Sequence, residues 1–210
     1  MAISRLIMED FLKNLSEIGK ADEMLDFCRK SVLHGTPFIF QGREGDFYEF
    51  RKRIAERFDI SFHEVYITGS AKLGFSPHKK TVFSLESDID VAIVSQKLFD
   101  EIMESIRQYQ MELRESRLSV TEFEIKKYHK FLEYGAIGWM RPDHLPFSFR
   151  VKDLKDKWFG FFNSISYGKS EVGNYKVNAG VFKTYQHLEK YTFSGMESLK
   201  TALKVEEYNG

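Results

Sequence analysis

The stretch that decides the fold runs from Val65 to Val94, VYITGSAKLGFSPHKKTVFSLESDIDVAIV. Its two apolar runs, VYIT and VAIV, read as buried strands; the first ends in Gly69-Ser70 and the second opens on Asp88 and Asp90. In a strand, residues two apart share a face, so the two carboxylates emerge together, roughly 6–7 Å apart at their Cα atoms, while Ile89 and Val91 face the other way. Such a pair repels unless a divalent cation sits between its members, and hard oxygen ligands suit Mg2+ or Mn2+. Gly69 lets a backbone approach a ligand closely, and Ser70 offers a hydroxyl and free N–H groups to a phosphate. The plain alternative is that SLESD is an ordinary turn, since Asp and Ser are common there. Both halves taken together argue for metal-assisted phosphoryl or nucleotidyl transfer.

Outward from this stretch, the order of elements is that of an α/β chain. SRLIMEDFLKNLSEI and ADEMLDFCRKSVL carry apolar residues every three or four positions, as amphipathic helices do, so residues 1–45 read as an N-terminal helical layer. HGTPFIFQGREGD has loop punctuation, FYEFRKRIAERFD resumes helical spacing, and the core with its C-terminal helical elements occupies 46–210, with one continuous domain as the alternative. After the aspartate strand, Gln96 to about Tyr134 reads as one long helix or two, with Phe99, Ile102, Met103 and Ile106 as the apolar stripe. GAIGWMRPDHLPFSF reads as a loop, KDKWFGFFNSIS as a short aromatic helix, NYKVNAGVFKTY as another strand, and YQHLEKY and GMESLKTALKVEEY as closing helical pieces.

Composition removes several classes. Thirty-one Lys and Arg balance thirty-one Asp and Glu in 210 residues, so no overall basic field exists to grip a duplex, and any polyanion site must be local. The single Cys28 cannot form an internal disulfide, no apolar leader opens the chain, and apolar runs are interrupted by Lys, Asp or Gly; a soluble, cytoplasmic protein is expected. No His pair has zinc spacing with a cysteine, and His129 and His187 on helical segments read as structural.

ITGSAKLGFS followed by SDIDVAIV resembles the signature of the polymerase-beta nucleotidyltransferase superfamily: a strand, Gly-Ser, a helix and a D-x-D strand. The resemblance covers Val65 to Val94 and implies a small mixed sheet with flanking helices, Asp88 and Asp90 as catalytic and Mg2+-binding residues, and Gly69 and Ser70 as binders of an NTP or dNTP triphosphate. Many members carry a third acid on a later strand, where YKVNAGVFK offers Asn178. Asp143, Asp153 and Glu171 are the acidic candidates, with Asp143 preferred because prolines on both sides of RPDHLP fix its loop. The seventeen residues from 71 to 87 are long for the minimal members, and PHKKTVFSLE is expected to be an exposed loop or hairpin. Lys72 near Ser70 and Lys183 after NAGVF are candidate phosphate contacts, Lys183 ranking first, against the plainer reading of solvated lysines.

The chain is also similar to small bacterial nucleotidyltransferases of defence operons, including the Hailong type, which make single-stranded DNA oligomers on a protein hydroxyl. That similarity implies a template-independent, protein-primed synthesis of a single-stranded oligonucleotide in phage defence, Tyr208 as the primer, and a membrane effector from the same operon as partner. Tyr208 sits in the polar KVEEYNG end, where a phenol could be mobile enough to reach a neighbouring site, although a packed terminal tyrosine is the commoner outcome. Two other readings compete: a toxin-type transferase that modifies a partner protein or tRNA, and a nucleotide-binding module without turnover.

Overall fold

The computed structural model describes residues 2–117, 119–145 and 149–209. It is a mixed α/β protein in which helices flank a small mixed sheet. The sheet has the order β1 (Val65–Thr68), β4 (Ile89–Val94), β6 (Val177–Phe182), β5 (Trp139–Met140). β4 runs antiparallel to β1 and parallel to β6, with Thr68 and Asn178 on either side of Asp90. Between β1 and β4 lie the five-residue helix α4 (Gly69–Leu73) and a hairpin of β2 (Phe75–Ser76) and β3 (Thr81–Val82). The long connection between Ser70 and Asp88 is therefore largely that hairpin.

Strand alternation splits the apolar residues between two sheet faces. Val65, Ile67, Ile89, Val91, Ile93, Val177 and Val181 meet helices α3 (Glu44–Phe58), α5 (Gln96–Arg114) and α7 (Phe149–Ser164) in the main core. Ala92, Val94 and Phe182 face the other way and meet Leu33 and Leu188. A separate cluster joins α1 (Ala2–Glu17) and α2 (Ala21–Phe27) to Phe75 and to Met196 and Leu199 of α8 (Tyr185–Asn209). Lys200 Nζ donates to the Ile18 carbonyl in the same region. The C-terminal helix therefore packs on the N-terminal layer.

Three expectations sharpen here. The segment after β4 is two helices, because Ser116 takes a positive φ of 54° after α5 and a Thr121–Glu124 capping box starts α6 (Glu122–Ala136). The closing pieces are one helix: Gly195 costs about 1 kcal/mol of helix propensity, and buried Leu188, Met196 and Leu199 outweigh it. The segment read as a loop before Pro142 contains β5, whose two residues pair with Phe182 and Val181. Cys28 is buried in a π-helical turn, Cys28–Leu33, and burial, followed by Glu189 and Glu197, pushes its thiol up to about 11. Among the described residues no helix is long and apolar enough to cross a membrane.

Candidate active site

The site is built where β1, α4, β4 and β6 meet. Gly69 has a φ of +65°, and a Cβ added there would stand 2.8 Å from Asp90 Oδ2. A side chain at this position would thus collide with the carboxylate as well as strain the backbone, which is the physical reason for glycine. The Thr68 hydroxyl donates to the Asp90 carbonyl at 3.3 Å, and the Ile89 N–H to the Lys176 carbonyl at 2.8 Å, so both neighbours hold the mouth of β4. Ser70 follows, half-buried, in the first turn of α4.

Asn178 occupies the position on β6 directly beside Asp90, and its Nδ2 donates to Asp88 Oδ2 at 2.9 Å. The parallel register thus puts an amide where an acid would complete a three-carboxylate cluster. Among the described residues no three His, Cys, Asp or Glu side chains converge as a metal site. Of the acidic candidates, Glu171 is engaged by Arg53 at 2.6 Å, while the side chains of Asp143 and Asp153 lie outside the described residues. The backbone of Asp143 falls in the 3-10 turn Pro142–His144 that follows β5.

The Asp90 carboxyl is pushed up to about 6, by burial first and then by the like charge of Asp88. Asp90 opens to solvent at the strand mouth, yet neighbouring protein crowds it on its other sides, and that crowding removes hydration from its charged form. Arg141, Lys79 and Lys176 oppose the rise. These cations come from the turn after β5, from the hairpin and from the residue before β6, so the carboxylate pair has basic neighbours that its local sequence lacks. Burial and Asp88 still outweigh them. The two carboxylates are hard oxygen donors of the kind a divalent cation takes, one carboxylate fewer than a three-acid site, and Asn178 holds one of them by its donated bond.

Both lysines expected at the phosphates have other partners. Lys72 is buried and donates to the carbonyls of His34 and Gly35, the latter at 2.6 Å, and burial pushes its ammonium down to about 8. Residues two apart on a helix do not share a face, so Lys72 cannot be assigned to the Ser70 side by proximity in sequence. Lys183 follows the far end of β6, roughly 16 Å along the strand from Asn178, where its Nζ lies 3.3 Å from Asp100 Oδ1 and 5.5 Å from the centre of the Phe99 ring. Tyr208 is 95% exposed in the last turn of α8, so the polar tail is helical, and nearby Glu206 pairs with Lys80 of the hairpin.

Sequence reading missed Arg141, Lys176 and an aromatic group beside the site. Trp139 contacts Tyr134, Tyr191 and Phe182, with ring centres 4.8, 4.7 and 5.9 Å away. Arg141 lies over the Trp139 ring at 5.9 Å. For Trp139 and Arg141 the signal is the run WMR between Gly138 and Pro142, whose two-residue strand is too short to show a period; Tyr134, Lys176 and Tyr191 come from other segments. Two open concavities lie elsewhere, one of about 420 Å³ at Tyr128 and His129 and one of about 700 Å³ at Arg29, His34 and Tyr185; neither is lined by the aspartates. Compared with protein-family models, curated proteins and solved structures, the chain matches none.

Proposed function

We propose that this chain is a divalent-cation-dependent nucleotidyltransferase with a polymerase-beta-like fold, which transfers a nucleotidyl group from an NTP or dNTP to a hydroxyl and releases pyrophosphate. The observation that carries the reading is the contact of Gly69 with Asp90: the backbone that would receive phosphate lies against one of the two carboxylates that would hold the metal. Asp88 and Asp90 hold Mg2+ or Mn2+, Asn178 orients Asp88, and Gly69 and Ser70 take the outer phosphates through N–H and hydroxyl groups. The bound cation supplies Lewis-acid stabilisation of phosphoryl oxygens. In the transfer, the acceptor oxygen bonds to the α-phosphorus, the bond from that phosphorus to the bridging α,β oxygen breaks, pyrophosphate leaves, and the acceptor proton passes to solvent.

Self-priming is the narrower form of this proposal. The Tyr208 side chain is open to solvent, and the Glu206–Lys80 pair ties its helix end to the hairpin that carries Lys79. A second observation favours a binding module with little turnover: an amide stands beside Asp90 on β6 where a third acid would stand.

The test is a panel of labelled NTPs and dNTPs with Mg2+, read as pyrophosphate release and product size on a gel. Active transfer gives release that falls about 10³-fold or more in the Asp88→Ala, Asp90→Ala double variant, since several kcal/mol of charge stabilisation is lost. Label on the protein that disappears in Tyr208→Phe supports self-priming, and equal labelling of both proteins removes it. Label confined to an added protein or tRNA favours the toxin-type reading. Nucleotide binding without pyrophosphate release from any substrate favours the binding module.

A further inference from the structure

The sheet face that carries Asp90 changes character along its length. Asp90, Ala92 and Val94 share it on β4, and Asn178, Gly180 and Phe182 share it on β6. Ala92 and Gly180 are register partners, so immediately past the carboxylates the floor of this face has almost no side chain. Trp139 occupies the space this leaves. A Cβ at Gly180 would stand 2.7 Å from its Nε1 and 3.1 Å from the Met140 carbonyl. The indole is thus held one side-chain step, roughly 6–7 Å along β6, from the asparagine that bonds Asp88.

Around the indole, Tyr134 and Tyr191 supply two more rings and Arg141 a guanidinium plane. The group differs from packed core. Phe182 and Leu188 below it are buried, whereas Tyr191 is 45% exposed and Trp139 and Tyr134 are only partly covered. Another half-open row of rings, Phe38, Phe83 and Tyr175, has a competing use: Phe38 closes over Gly74, and Phe83 and Tyr175 pack on the main core. Charge links the Tyr191 group to the carboxylates as well. The Tyr191 phenol is raised by burial first and then by Tyr134, with Arg141 opposing and Asp90 adding, so the charge of Asp90 reaches the Tyr191 ring.

We propose that Tyr134, Trp139, Arg141 and Tyr191 form a stacking wall for the nucleobase of the nucleotide whose phosphates meet Asp88 and Asp90. The assignment rests on the nucleotide reading above and adds the part of the substrate that reading leaves unplaced. Aromatic faces and a guanidinium plane bind any base by its π-face, so the wall confers affinity for a base without strict choice among bases. A triphosphate without a base has nothing to bring to it.

The chain has two tryptophans, and Trp158 is buried against Phe58 and Phe162, so Trp158→Phe leaves Trp139 as the sole indole emitter. In that background, ATP with Mg2+ quenches Trp139 emission saturably, whereas inorganic tripolyphosphate with Mg2+ displaces labelled ATP in equilibrium dialysis without quenching. Tyr191→Ala weakens ATP binding about tenfold and leaves tripolyphosphate binding unchanged, which also shows that the variant is folded; Tyr191→Phe, which keeps the ring, retains ATP affinity. ATP that binds in dialysis with no change in Trp139 emission and no loss in Tyr191→Ala overturns the wall and leaves the phosphate site standing. If neither ATP nor tripolyphosphate binds, the nucleotide reading falls, and the wall with it.

Discussion

Asp90 keeps its proton to a higher pH than a surface carboxylate does, and this has a measurable sign. Its folded value of about 6 stands above the unfolded 3.8, so the folded state binds the proton more tightly. The resulting stabilisation is fully present below pH about 4 and is lost as the pH rises through about 6. In metal-free buffer, Asp90→Asn should therefore be more stable than the parent at pH 7.5, by about 1 kcal/mol once the solvent screening of an exposed group is allowed for, and the gap should close by pH 4. Urea unfolding at the two pH values measures it, and equal stability at pH 7.5 would contradict the crowding of Asp90. The same residue marks what a sequence can disclose. The D-x-D spacing and Gly69-Ser70 were legible because they lie within short reach of one another along β1, α4 and β4. Lys79, Arg141 and Lys176 were not assignable to Asp90, because tertiary folding brings them there from three separate segments.

Among the elements, α8 has the widest reach. Its first turns place Leu188 and Tyr191 on the sheet face, and its second half supplies Met196 and Leu199 to α1 and α2. Leu15 of α1 is fully buried in that second cluster, so Leu15→Ala should cost about 2–4 kcal/mol of stability through lost burial and a residual cavity. If α8 acts as a rigid rod, the urea midpoint of this variant falls while its far-UV circular dichroism below the transition matches the parent; a midpoint within error of the parent would mean that the layer is loosely packed. Helical periodicity disclosed α1, α3, α5 and α6 because each buries one stripe. It could not disclose that α8 is continuous, since Gly195 breaks the local pattern and the packing partners that override it lie at the other end of the chain. Asn178 was read from its strand, but its bond to Asp88 depends on which way β6 runs beside β4, a property absent from the pattern of either strand.

For the whole molecule, charge balance sets what the site can hold. Equal numbers of acidic and basic residues leave no long-range field, and the cations near Asp90 are a local exception. A 20-base-pair DNA duplex followed by fluorescence anisotropy at physiological salt should bind more weakly than about 100 μM, the weak end of non-specific affinities; tight, steeply salt-dependent binding would show that charge is segregated on a surface wider than this site. The sheet has a consequence of another kind. Its outer strands are β1, with four residues, and β5, with two, while the six-residue strands β4 and β6 are enclosed between them. An edge this short offers an incoming strand few free N–H and C=O groups, which makes the native protein a poor template for fibrillar growth. The long apolar strands that could seed such growth become available only when the molecule opens, so resistance to fibrils is tied to global stability as well as to the short edges.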